Sequence, residues 1–291
     1  MGGTWRWWII FTFCAEIMIE VTPDLRKKIQ QKDLEILDEV SRVCSLLGIT
    51  YMLSSGSALG AVRHQGFIPW DDDIDVMMPR VDYERFMHEA PAVMSPDFMV
   101  QSHLSEPEYL LYYMKVRANN TVMREVSFAK FKQHHGVYID IFPLDRVPDT
   151  RLAQRFETMM YRRFDALRNM MTWSLCRRPA DPLRRTFRSL MYPIARLIGI
   201  SRLTRWENRF RGRNRNNSAC RSTSADCLTC RFGTYFDFAL FEETVPLMFE
   251  GRTVPVMAGY DAYLRRLYGD YMTPPPEANR GSKHKLEELV L

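Results

Sequence analysis

GAVRHQGFIPWDDDIDV, residues 60–76, sets four aspartates within five positions directly after a tryptophan. A solvated acidic loop has no use for Ile74 and Val76 beside its carboxylates. On an extended strand, successive side chains point to opposite faces. If the strand starts early enough, Asp71, Asp73 and Asp75 share one face while Ile74 and Val76 enter a core. The apolar neighbours therefore mark carboxylates fixed on a rigid strand, read here over Asp73 to Met78. Pro79 and the pattern VDYERFMHEA then open a helix.

Two carboxylates about 4 Å apart repel by about 4 kcal/mol at an effective dielectric of about 20. Uncompensated, one of them takes up a proton. A divalent cation removes the conflict, and hard oxygen ligands select Mg²⁺ or Mn²⁺ over zinc. An acidic doublet alone also suits a helix cap or a surface patch. The surroundings decide between these. ITYML (49–53) reads as a short strand, Ser54 to Ser57 as a turn and ALGAVRH as a helix opened by that turn. Gly56 lets the backbone approach a phosphate, and the helix start presents free N–H groups to it. Strand, Gly-Ser turn, helix and a strand with two alternate aspartates form the pattern of the nucleotidyltransferase superfamily. A third carboxylate is expected from a neighbouring strand, and GVYIDIFPLD supplies Asp140.

Upstream, Thr22-Pro23-Asp24 reads as a cap followed by proline at the first helical position. An apolar helical pattern then runs from Leu25 to Leu47 and stops at Gly48. Residues 97–142 hold three β-like runs (FMVQSH, TVMREV, GVYIDIF), with Pro143 and Pro148 closing the sheet region. TVPLMFEGRTVPV (244–256) reads as a hairpin turning at Glu250-Gly251. GYDAYLRRLYGDYM reads as a helix stopped by Pro274-Pro275-Pro276.

Of the 291 residues, 46% are apolar, which supports a sizeable core and excludes a disordered chain. The net charge of +5 is unevenly spread: residues 151–215 hold 17 arginines, no lysine and four acids, a surplus of +13 that leaves the rest at −8. This Arg-rich helical stretch reads as a solvated face, as a contact for an anionic membrane surface, or as a site for an acidic glycan carrier. The six scattered cysteines imply a reducing compartment and no disulfide framework. Cys220, Cys227 and Cys230 cluster, but without a paired CxxC they are read as ordinary thiols rather than a zinc site. No run of about 18 uncharged apolar residues occurs, so no spanning helix is expected. TWRWWIIFTFCAEIMIEV (4–21) lacks a good cleavage site and reads as a short apolar arm. The expectation is a cytoplasmic protein with peripheral contact at the inner face of a membrane.

GSALGAVRHQGFIPWDDDIDVMMPRVDYERF strongly resembles the central motif of the LicD family, the phosphorylcholine transferase-like proteins with fukutin and fukutin-related protein as animal relatives. The resemblance continues in order through YMKVRANNT, GVYIDIFPLDRVP, FEGRTVPV and YDAYLRRLYGDYMTPP, covering about residues 25–285. It implies an α/β (α+β) fold: a nucleotidyltransferase-like mixed sheet core with flanking helices and an Arg-rich helical insertion at 151–215. The arm (1–21) precedes a single domain, 22–291. The resemblance also implies transfer of a phospho-alcohol, such as phosphocholine, from a CDP-activated donor to a glycan or lipid-linked glycan hydroxyl. In this reading Asp73, Asp75 and Asp140 are catalytic and, with Asp71, hold Mg²⁺ or Mn²⁺. Gly56, Ser57, Arg63, His64, Lys115, Arg117 and His284 bind substrate, with Arg63, Lys115 and Arg117 as phosphate clamps. Trp70 is a stacking candidate or a core residue, and Tyr109, Tyr112 and Tyr113 are candidates for a choline cage. No nucleic-acid partner is expected. A rival on the same fold is a nucleotidyltransferase acting on RNA or a small molecule; another is a non-catalytic binding protein.

Overall fold

Thr22 Oγ1 accepts the Leu25 N–H at 3.3 Å, satisfying one orphan donor of helix α1 (Pro23–Leu47). Gly48 ends that helix at φ 62, a left-handed conformation that costs glycine little. The inward stripe Ile29, Ile36, Leu37, Val40 and Val43 is fully or almost fully buried in the main core. The computed structural model describes residues 19–176, 193, 197–224, 234–277, 280 and 285–291. Most of the apolar arm and His284 lie outside these, as do Cys227 and Cys230. Ile19 is described: its N–H donates to the Leu286 carbonyl at 2.9 Å, and Ile19 and Val21 pack on the core.

After α1 come β1 (Met52–Leu53), α2 (Ser55–His64), β2 (Asp75–Pro79), α3 (Arg80–Glu89), β3 (Phe98–Gln101), β4 (Met114–Ala118), β5 (Val122–Glu125) and β6 (Tyr138–Val147). There follow α4 (Arg151–Cys176), α5 (Ile200–Arg211), β7 (Ser222–Ser224), β8 (Phe236–Asp237), β9 (Thr244–Phe249), β10 (Arg252–Met257), α6 (Tyr260–Tyr268) and β11 (Leu286–Val290). A mixed sheet runs β3-β4-β6-β2-β1-β10-β9, with β7 on the far end of β6 and β8 on β7. β2 and β6 are parallel, as are β1 and β10; the other pairs in this sheet are antiparallel. The fold class is the expected mixed α/β, with helices flanking one large sheet.

The structure departs from the sequence reading at several points. β2 begins at Asp75, so Asp71 and Asp73 lie on the extended chain leading into it. Pro143 does not end β6: the strand runs on to Val147, and Pro143 pairs opposite Met78. The TVMREV run forms β5, which leaves the large sheet and pairs with β11. Helix α6 stops at Gly269, φ 69, before the prolines. The hairpin turn is as read: Glu250 (φ 49) and Gly251 (φ 76) both take the left-handed conformation of a two-residue turn.

The Arg-rich stretch is not one solvated face. Its helices pack Phe164, Met171 and Leu203 against Leu110 and Phe131 in a second small core. Buried Glu207 accepts from both Arg168 and Arg211, and Arg211 lies 3.7 Å from the Tyr112 ring centroid. Buried Glu157 pairs with Arg213. A second inward arginine, Arg80, makes a bidentate pair with Asp145 at 2.5 and 2.7 Å, both almost fully buried, and ties α3 to β6.

Candidate functional site

Two hydrogen bonds fasten the turn before α2 to the head of β2. The Ser54 N–H donates to the Asp75 carbonyl at 2.9 Å, and Ser57 Oγ accepts the Asp75 N–H at 2.8 Å. Ser55 starts the helix at φ 46 and donates its N–H to Tyr263 Oη at 3.2 Å. Gly56 follows, and a Cβ there would lie 2.7 Å from Asp71 Oδ2, so the missing side chain is what admits the Asp71 carboxylate. Gln30 of α1 donates to the Asp71 carbonyl at 2.8 Å. The aspartate loop is thus held from three elements before any ligand arrives.

Burial along the loop alternates: Asp72, Ile74 and Val76 are buried, while Asp71, Asp73 and Asp75 are partly open. That is the period of two expected of extended chain. Asp75 stands directly abreast of Asp140 in the parallel β2–β6 ladder, and the Asp140 N–H donates to the Ile74 carbonyl at 2.9 Å. On the other side of Asp140, β4 places Lys115 directly opposite, with Nζ 2.7 Å from Asp140 Oδ1. Burial pushes the Asp140 carboxyl up; Lys115 opposes this and the Asp73 charge adds to it. Burial likewise pushes the Lys115 ammonium down against the pull of Asp140.

The donor chemistry suits a hard divalent cation. Asp140 Oδ1 is buried and, despite the close ammonium, lacks a well-aligned hydrogen bond. The three carboxylates do not, however, close a cage: among the described residues no three His, Cys, Asp or Glu side chains form a metal-holding group. Mg²⁺ commonly takes one or two carboxylates and completes its shell with waters and substrate phosphates.

The other expected residues separate into two groups. Arg63 and His64 end α2 beside a cavity of about 360 Å³ lined by Gly56, Arg63, Trp70, Asp71, Tyr268 and Tyr271, among others. Arg63 donates to the Tyr271 carbonyl at 2.5 Å and to His64 Nδ1 at 3.3 Å. Burial, then Arg63, holds the His64 imidazole below its ordinary range. Trp70 is half-buried, with His64 edge-on at 6.5 Å. Lys115 and Arg117, in contrast, are almost fully buried in the sheet. Arg117 gives its guanidinium to Gln101 and the Gly136 carbonyl and stacks 4.6 Å from the Tyr138 ring, so it braces the sheet. Tyr109 and Tyr112 are buried in the protein interior rather than arranged as a cage, and Tyr113 packs on Phe142. Cys220 is a buried free thiol.

Sequence reasoning missed the far wall of the cavity: Tyr268, Asp270, Tyr271 and Thr273. The signal is present in YDAYLRRLYGDYMTPP, a motif whose chemistry is silent until the fold carries it across to α2.

Residues 48–183 match the family model described as the LicD/FKTN/FKRP nucleotidyltransferase domain. The lipopolysaccharide cholinephosphotransferase LicD of Haemophilus influenzae is 27% identical over 287 residues, spanning 89% of this chain and 95% of that protein. An uncharacterized protein of Rickettsia prowazekii is 27% identical over 119 residues, 40% of each chain. Another, from Rickettsia typhi, is 37% identical over 57 residues, 20% of this chain and 18% of that one.

Proposed function

We propose that this chain, a member of the LicD family, is a transferase that moves a phospho-alcohol from a CDP-activated donor to a hydroxyl of a cell-surface glycan. Phosphocholine is the favoured group and a lipopolysaccharide the favoured acceptor, because the relative matched over nearly its whole length carries that name. The observation that carries the reading is the register of β2 and β6, which sets Asp75 beside Asp140 next to the glycine turn at the start of α2.

In this reading the positive end of α2, at Gly56 and Ser57, receives donor phosphate. Asp73 and Asp75, with Asp71 at the flank, would hold Mg²⁺ or Mn²⁺, which when bound would neutralise charge on the pyrophosphate. Asp140 accepts the proton of the attacking hydroxyl. Lys115 keeps the Asp140 carboxylate oriented, and burial raises its basicity. The acceptor oxygen forms the new bond to phosphorus and CMP leaves. Positioning does much of the work in such a transfer.

Among the described residues no helix is long and apolar enough to cross a membrane. Arg151, Arg155, Arg162 and Arg163 line a second cavity of about 640 Å³ on α4, and Leu152, Phe156 and Met159 are exposed on the same helix. This basic and apolar surface supports peripheral contact with an anionic membrane carrying a lipid-linked acceptor. The test is incubation with a panel of CDP-alcohols, scoring CMP. Release is expected with Mg²⁺ or Mn²⁺ and is lost on chelation. Pyrophosphate from a nucleoside triphosphate, with no CMP from any CDP-alcohol, would make the chain a nucleotidyltransferase instead.

A further inference from the structure

Arg63 lines the 360 Å³ cavity beside Gly56, and Arg280 stands over Trp70, another residue of its wall. Arg63 leaves α2 and spends one nitrogen on the Tyr271 carbonyl and another on His64 Nδ1. Arg280 arrives from the C-terminal segment; its guanidinium sits 4.9 Å from the Trp70 ring centroid, and its Nε donates to the Pro275 carbonyl at 2.8 Å. Among the described residues neither makes an ion pair with a carboxylate. Their charges repel: burial disfavours the Arg63 cation first, and Arg280 disfavours it further. Asp71 and Asp270 line the same cavity, yet neither pairs with either guanidinium, so both arginines keep donors for an anion. Each guanidinium retains donors that suit the planar, bidentate recognition of phosphate oxygens.

We infer that Arg63 and Arg280 together clamp the diphosphate of the nucleotide donor, and that Trp70 serves to hold the Arg280 guanidinium. The inference rests on the CDP-donor reading above and deepens it. It assigns a binding role to Arg280, which lies outside the sequence motifs that mark the site, and a positioning role to Trp70. It also places any cationic head group away from the Trp70 face, because Arg280 already stacks there. Gly56, at the start of α2, lines the same cavity, so an anion held by the two arginines also meets the positive end of the helix.

The test is calorimetric binding of CDP, cytidine and inorganic pyrophosphate to the full chain and to Arg280→Ala, Arg280→Lys and Trp70→Leu. Arg280 is exposed, so its variants are expected to keep the far-UV spectrum of the parent. Arg280→Ala should bind CDP and pyrophosphate about tenfold more weakly or worse while binding cytidine unchanged, as loss of a charge-assisted contact requires. Arg280→Lys should recover part of the loss, and Trp70→Leu should weaken CDP in the same sense. Unchanged CDP affinity in Arg280→Ala, or an equal loss for cytidine, would overturn the clamp. So would a parent chain that binds neither CDP nor pyrophosphate. Arg280-dependent binding of pyrophosphate without binding of CDP would keep the clamp and remove the CDP donor.

Discussion

Asp75 of β2 and Asp140 of β6 stand abreast on neighbouring parallel strands, and the Asp140 amide is fixed to the Ile74 carbonyl at 2.9 Å. The parallel ladder fixes the two backbones side by side, so both carboxylates leave the sheet from adjacent positions. Asp75→Asn and Asp140→Asn keep side-chain volume and remove charge. Each is expected to lower turnover by roughly 10²–10⁴-fold; Asp75→Asn should leave the thermal midpoint little changed, whereas Asp140→Asn strands the buried Lys115 ammonium and should lower it. Steady-state CMP release paired with calorimetry checks this; normal turnover in Asp140→Asn would refute its role as proton acceptor.

Arg80 and Asp145 form a pair whose exposures are 3% and 1%, so neither can be rescued by water if its partner goes. Arg80→Met strands a buried carboxylate and should cost about 3–5 kcal/mol, whereas the double variant Arg80→Met/Asp145→Leu should cost much less. Urea unfolding of the three chains gives the comparison. A single variant as stable as the parent would show that the pair is not desolvated as described.

Gly60 lies in the middle of α2, where a Cβ would sit 2.4 Å from the Gly66 carbonyl oxygen. That neighbour is backbone, itself held because the Glu250 N–H donates to the Gln65 carbonyl and Glu250 Oε1 accepts the Phe67 N–H. Gly60→Ala therefore cannot be relieved by a rotamer change, even though alanine favours helix by about 1 kcal/mol. The variant should be less stable than the parent and should lose activity with it. A more stable Gly60→Ala would mean that the loop yields.

Much of this site is legible in the amino-acid sequence alone. The interleaving of Ile74 and Val76 with aspartates marks the strand, and the Gly56-Ser57 turn marks the helix start opposite it. β4 is harder to see: MKVRA is buried along its whole length, so Lys115 and Arg117 occupy positions that normally go to apolar residues. Each is sheltered by a partner on another strand or loop, which local sequence does not display. Pro143 reads as a breaker, yet a strand can carry a proline where no ladder N–H is needed. The Arg-rich stretch reads as one charged surface because the buried acids it serves, Glu157 and Glu207, are few and give no periodic signal. Tyr271 and Arg280 reach the site only through long-range packing.

His103 lies elsewhere, among positive charges that include Arg80 and Arg205. Burial first, then the positive charges of Arg205, Arg80 and His88, lowers its pKa to about 4 from 6.5. The folded imidazole thus stays neutral where the unfolded one takes up a proton. Stability is full above pH 6.5 and falls as the pH drops toward 4, by on the order of 2 kcal/mol after allowance for partial exposure. His103→Gln should flatten the stability profile across that window. A profile of the same slope in parent and variant would contradict this.

The most direct test is transfer itself. The chain is incubated with CDP-choline, Mg²⁺ and a lipopolysaccharide lacking phosphocholine, and phosphorus on the acceptor is measured alongside CMP, for the parent and for Asp73→Asn. Equal amounts of acceptor phosphorus and CMP in the parent, and neither in Asp73→Asn, are the predicted result. Equal transfer by the two chains would contradict the account, as would CMP release with no phosphorus on any hydroxyl acceptor.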